Sequence, residues 1–364
     1  MGAPRKPPRR QLPGPIQWMR ENLFSSVFNS ILTLLALLLI YQTVVPFIQW
    51  AVIDAAWSGK SRDACLPFPD GACWPFIIER SGQIVYGFYE QAERWRVDIV
   101  FLLLGVGLAW LMAPRLPSKA LVGALMVTIF PFAAFVLLVG GFGLPVVPVE
   151  RWGGLMITLV VAVTGIVASL PLGILLALGR RSELPVVRSL SIAFIELWRG
   201  VPLITVLFMA ANMLPLFMPD GITINKLLSA LIAVALFSSA YMAEVVRGGL
   251  QAVGKGQYEA AAALGLGYWR TMLFVILPQA LRLCLPNIVG NFIGLMKDTS
   301  LVSIIGFLDL LGIIQAGNSD ADWATPNTAM TGYVFLGLVF WVLCFGMSRY
   351  ARTLETRLQG GDAR

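Results

Sequence analysis

Apolar residues along this chain run in long blocks rather than in alternation. Eight blocks stand out, at about residues 27–48, 98–112, 121–140, 154–178, 193–218, 227–246, 288–311 and 331–347. Most approach the roughly 20 residues with which a helix crosses the hydrocarbon core, allowing for tilt. An outer-membrane barrel would instead show segments of about 10 residues with alternating hydrophobicity. The pattern predicts an all-α, polytopic membrane protein with about eight transmembrane helices. Block 98–112 is short. Block 193–218 is interrupted by Arg199, Gly200 and Pro202, which predicts an unwound turn whose carbonyls need protein or a cavity beside them.

Charge orients the blocks. Arg5, Lys6, Arg9, Arg10 and Arg20 precede the first, and Arg115 and Lys119 lie between the second and third. Arg180, Arg181 and Arg188 follow the fourth, Arg247, Lys255, Arg270 and Arg282 follow the sixth, and Arg349, Arg352 and Arg357 follow the last. With eight spans all of these fall on one side, so the positive-inside rule predicts both termini in the cytoplasm. Residues 1–26 read as a disordered basic cytoplasmic tail. Residues 27–150 read as a three-span extension with a large external loop at about 49–97, and 151–350 as a five-span unit. Residues 351–364 read as a second cytoplasmic tail. The two membrane parts are not repeats of each other, which argues against a carrier built from internal inverted repeats.

Composition agrees. The chain has 364 residues, 57% hydrophobic and 13% charged, with a mean hydropathy of +0.77. Soluble domains average about 45–50% apolar and about 25% charged. The net charge of +7 sits beside apolar blocks, so it is orientation charge and not a nucleic-acid stripe. The absence of histidine excludes Ser-His-Asp and Cys-His catalysis and His-based metal sites. Cys65 and Cys73 bracket the turn CLPFPDGAC. They are either a disulfide, if that loop faces an oxidising compartment, or two free thiols.

The segment at about 248–280, between two apolar blocks, is unusual for a loop. Glu259, Ala260 and Ala261 begin a strong helix former, and Gly265 ends it or admits another backbone. Tyr268, Trp269, Leu273 and Phe274 follow, and Pro278 stops or kinks the next piece. Two short helices with apolar residues to bury make either a knob for a cleft on another protein or an interfacial helix lying on lipid. Gly249 to Gly256 matches most of a phosphate-binding loop. Gly256 stands where that loop needs Ser or Thr, and a membrane helix precedes it instead of a strand.

Glu259, Ala260, Ala261, Gly265, Val275, Leu277 and Pro278 resemble the coupling motif of ABC-importer permeases, with Val275 where the family often has Ile. AEVVRGGLQAV, KGQYEAA, ILPQALR and KDTSL resemble the subfamily that imports polar amino acids. So does FIELWRGVPLI at 194–204, with Val201 where Thr is commoner. The resemblance covers roughly residues 154–357. The extension and its loop resemble the longer permeases for general L-amino acids or for glutamate, glutamine, aspartate and asparagine. It implies a five-helix type I importer core in a bacterial inner (cytoplasmic) membrane, with coupling through Glu259, Ala260, Ala261, Leu264, Gly265 and Pro278. It also implies two ATPase subunits that bind ATP and Mg, a second related permease and a periplasmic amino-acid-binding protein. This chain would bind no cofactor and catalyse no covalent reaction.

Charges inside the blocks complete the candidates. Lys297 lies within block 288–311, where an ionisable residue costs at least about 2.5–3.5 kcal/mol and faces the bundle interior, water or a partner. Lys297, Thr299 and Ser300 either line the translocation path or form structural pairs. Glu196/Arg199 and Glu244/Arg247, each spaced i,i+3, are helix-surface pairs or else a gate or subunit contact.

Overall fold

The computed structural model describes residues 14–113, 115–219 and 224–361. A short helix α1 (Pro15–Asn22) and a turn lead into α2 (Val27–Ile48), whose N-terminus is capped by Ser26 accepting from the Asn29 N–H at 3.1 Å. The tail expected over 1–26 therefore contains a helix, begun by Pro15 at a position where a missing N–H costs nothing. The basic residues Arg5 to Arg10 lie outside the described residues. No residue of α2 is buried.

The loop expected at about 49–97 folds as a cap. After a π-helical turn at Gln49–Ile53 it forms α3 (Trp74–Glu79) and α4 (Ser81–Tyr86). Cys65 and Cys73 are bonded to each other. Phe76, Ile77 and Ile84 then pack with Leu310, Ile313, Ile314 and Trp323 of the far end of the chain. Arg80 pairs with Asp320, and the Cys73 N–H donates to the Thr331 hydroxyl at 2.9 Å. The loop is thus a structural cover for one end of the bundle, called here the cap end.

Two helices return across the membrane, α5 (Arg94–Met112) and α6 (Lys119–Val139), followed by α7 (Gly154–Arg180). Helix α8 (Pro185–Gly200) turns by 101° into the 203–217 stretch, which starts as α9 (Leu203–Phe208). The single span expected over 193–218 is therefore a bent pair. The break falls at Gly200–Val201–Pro202, where proline removes a donor and holds its predecessor extended.

Helix α10 (Lys226–Ala252), capped by the Asn225 side chain, runs parallel to α7. A Cβ on Gly165 would meet Val234 at 2.9 Å, and one on Gly173 would meet Met242 at 2.7 Å. Lipid gives no hydrophobic drive between helices, so small residues that admit close packing set this contact.

The remaining elements are α11 (Lys255–Ala263), α12 (Tyr268–Arg270), α13 (Leu277–Leu283), α14 (Leu285–Asp298), α15 (Leu310–Asn318) and α16 (Pro326–Gly361). The span expected over 288–311 ends earlier. Its last turns, Thr299–Ile305, are 3₁₀, and Gly306 at φ 93° stops it. The last helix runs past 347 because Arg349–Leu358 is rich in helix formers, so the tail expected over 351–364 is helical to Gly361.

Asp309 caps α15, accepting from the Gly312 N–H at 2.9 Å, and is fully buried. Burial pushes its carboxyl up from 3.8 to about 6, against the opposing pull of the backbone N–H groups. The folded chain therefore holds this proton more tightly than the unfolded one. Its stabilisation is present below about pH 4 and is lost as pH rises through 6, by roughly 3 kcal/mol at most. Asp309→Asn keeps a capping oxygen and removes the titration. The melting temperature of the native chain relative to this variant is expected to fall between pH 4 and 7; parallel curves would sink the assignment.

Candidate functional site

The segment of 255–276 stands at the end opposite the cap. Helix α11 closes with a complete Schellman motif. The Leu266 N–H donates to the Ala261 carbonyl at 3.1 Å and the Gly265 N–H to the Ala262 carbonyl at 2.9 Å. Gly265 takes φ 70°, the left-handed conformation that this cap requires. A Cβ there would touch nothing within 4 Å, so the glycine answers a backbone need and leaves open space outside.

Ala261 is buried, while Glu259, Ala260 and Leu264 are exposed, Leu264 to 79%. Trp269 and Phe274 are exposed to 62% and 76%, so the knob presents a substantial apolar surface. The chain between α12 and α13 is π-helical over Thr271–Ile276. Pro278, at the start of α13, lacks an N–H and crowds the turn before it, and the wider turn relieves this.

Tyr258 fastens the knob to the bundle. Its hydroxyl accepts from the Arg181 guanidinium at 3.0 Å and donates to the Leu250 carbonyl at 3.3 Å. Gln279 donates to the Gln257 side chain at 3.1 Å. The near-match to a phosphate loop is packing instead: Gly249 lies inside α10, and a Cβ on it would meet the Ala280 carbonyl at 2.6 Å.

The four charges of the two expected pairs come together; Glu244 and Arg247 pair with each other, while Glu196 and Arg199 take other partners. Glu244 accepts from Arg247 at 2.7 Å and from Arg180 at 2.9 Å, and lies 3.8 Å from Arg199. Glu196 accepts from Arg180 at 3.0 Å rather than pairing with Arg199. Three helices, α7, α8 and α10, thus share one network centred on Glu244, whose side chain is only 16% exposed. Its hub Arg180 adjoins Arg181, which holds Tyr258. Sequence reading counted Arg180 and Arg181 as orientation charge only. Their neighbours lie 16 and 77 residues away, a distance no local spacing rule reaches.

Beside this network lies an open cavity of about 480 Å³, lined by Arg199, Tyr241, Glu244, Asn287 and Asn291. The Arg199 guanidinium sits 5.6 Å from the Tyr241 ring centre. Asn287 and Asn291, an i,i+4 pair at the start of an apolar block, were the sequence signal for it that spacing alone could have supplied. The expected path residues lie elsewhere on α14 and just beyond it. Thr299 is buried and donates to the Met296 carbonyl at 2.8 Å; Ser300 donates to the Lys297 carbonyl at 2.9 Å. Both hydroxyls serve the helix end. Lys297 is exposed.

Residues 169–360 match the family described as binding-protein-dependent transport system inner membrane component. This chain belongs to that family. It is 51% identical over 345 residues to the inner membrane amino-acid ABC transporter permease protein YhdY of Escherichia coli (strain K12), covering 94% of this chain and 93% of the relative. It is 39% identical over 427 positions to the glutamate/glutamine/aspartate/asparagine transport system permease protein BztC of Rhodobacter capsulatus, covering 99% and 97%. A solved structure described as an amino acid ABC transporter with histidines superposes with a TM-score of 0.50 at 31% identity, over 56% of this chain and 92% of that one. The permease is thus a multi-pass inner membrane protein with a type I ABC permease core; its described residues carry seven helices long and apolar enough to cross a membrane, and an eighth if the bent pair counts as one.

Proposed function

We propose that this permease forms the translocation path for polar L-amino acids in an ATP-driven importer. The knob ending at Gly265 carries the reading. It is a rigidly capped helix with an exposed leucine tip and apolar flanks, tied through Tyr258 and Arg181 to the bundle. Such a shape suits a cleft on an ATPase subunit in the cytoplasm. Two ATPase subunits would supply ATP and Mg binding, a periplasmic binding protein would deliver substrate at the cap end, and a second related permease would complete a heterodimer.

The name of one long relative, BztC, favours glutamate, glutamine, aspartate and asparagine as the substrate class. The Arg199–Asn287–Asn291 cavity offers a guanidinium for a carboxylate and amides for hydrogen bonds. Lys297 remains a second candidate contact for a carboxylate on the path. Purification in mild detergent is expected to bring down an ATPase and a second permease, and the cognate binding protein is expected to bind acidic and amide amino acids. Uptake that survives ATP depletion but not collapse of the ion gradient would instead identify an ion-coupled carrier.

A further inference from the structure

The extension hairpin and the transport core do not close on each other. Between α5 and α6 on one side and α7 and α10 on the other runs a cleft of about 540 Å³. Its walls are apolar except for Thr164 and two groups at one end, Trp152 and Asn225. The helical walls come mainly from the cap-end parts of their helices: residues 100–104 of α5, 127–139 of α6, 156–168 of α7 and 227–231 of α10. At 1.5 Å per residue the α6 wall is about 18 Å long, a little over half of a roughly 30 Å hydrocarbon core. The cleft therefore has the depth of one leaflet.

The cap-end rim is closed. Tyr89 donates to the Leu138 carbonyl at 2.9 Å, and Arg96 donates to the Pro145 carbonyl at 2.9 Å. Trp152 sits at this rim, 4% exposed, and its indole N–H has no acceptor among the described residues. A buried donor without a partner is costly and rare. An apolar space of this size does not hold water, and left empty it forfeits the dispersion contacts of its lining.

We propose that this cleft holds one acyl chain of a glycerophospholipid from the cap-side leaflet, with an ester carbonyl of that lipid accepting from the Trp152 indole. The lipid is a fixed part of the permease. It fills the seam between extension and core, and the helices on either side can shift against it without opening a void.

The test is native mass spectrometry of the permease complex purified in mild detergent, with the retained lipid extracted and quantified. The native chain is expected to keep one phospholipid at this site through detergent washing. Ala134→Trp, on the α6 wall, is expected to lose it, and Val163→Phe on the α7 wall serves if the first variant does not fold. Trp152→Phe, which keeps the ring and removes the donor, is expected to lower occupancy several-fold. Leu102→Trp, on a face of α5 that is 64% exposed, is expected to change nothing. Absence of a retained lipid in the native chain would overturn the proposal. So would equal retention in all the variants, or a single-span protein found in place of the lipid.

Discussion

A Gly265→Trp substitution is expected to leave the permease folded and to cut ATP-driven uptake at least about tenfold, a loss of ~1.4 kcal/mol in coupling. The two effects separate because of the geometry. Gly265 has φ 70°, so any side chain there adopts the left-handed region at a cost of roughly 1–2 kcal/mol. That is small beside the about 5–15 kcal/mol that holds a typical domain folded. Among the described residues, nothing beyond its two chain neighbours lies within 4 Å of the new Cβ. Bulk at this position therefore obstructs only what docks from outside. Gly265→Asn, which tolerates the left-handed region and adds little volume, is expected to fall between the native chain and the tryptophan variant. Uptake into proteoliposomes, read beside the melting temperature, checks both. Native uptake by the tryptophan variant would remove the docking role, and a collapse of the melting temperature would move the effect into the fold.

The knob was legible because its information is local. Three consecutive residues with high helix propensity and a glycine at the right offset specify a capped helix wherever it sits. The spans were legible for the same reason, through unbroken apolar length. The break near Pro202 was readable too, since proline and glycine act on their immediate neighbours. The 101° turn that follows was not, because its direction is set by how α8 lies across α7 and α10.

The end of the seventh apolar block was misplaced for a related reason. Hydropathy runs on through Ile304, Ile305 and Phe307, and only the backbone conformation of Gly306 shows that the chain leaves the helix there. The cap was invisible at every level except the cysteine pair. Phe76, Ile77 and Ile84 meet partners more than 220 residues further along, at Leu310, Ile313 and Ile314.

What joins the local and the distant parts is the dipeptide at the end of α7. Arg180 ties Glu196 to Glu244, while Arg181 holds Tyr258 of the knob. In the proposed importer, a push on the knob would reach the same helix end that carries the charge network. Beside that network lies the polar cavity, so the knob and the cavity are joined through the Arg180–Arg181 end of α7.

Glu244 is where that connection is most exposed to a single change. Glu244→Gln is expected to lower stability by about 1–3 kcal/mol, whereas Glu196→Gln is expected to cost less than about 1 kcal/mol. Glu244 is one carboxylate facing three guanidinium groups, with a side chain 16% exposed, while the Glu196 side chain is 56% exposed and has a single partner. Removing an enclosed charge leaves its counter-charges uncompensated, and breaking a fully buried pair costs about 3–5 kcal/mol. The arginines here are 25–37% exposed, so water screens part of that loss. Thermal melts in detergent separate the two variants. A double-mutant cycle of Glu244→Gln with Arg180→Met is expected to show a coupling energy between about 0.5 and 3 kcal/mol. Strict additivity would mean that the two side chains act independently and that α7 and α10 are held by their small-residue packing alone. With coupling, and if the knob docks as proposed, the Glu244→Gln permease is expected to hydrolyse ATP through its partner subunits without matching uptake, because the knob would still dock while the helix ends beside it are no longer tied together.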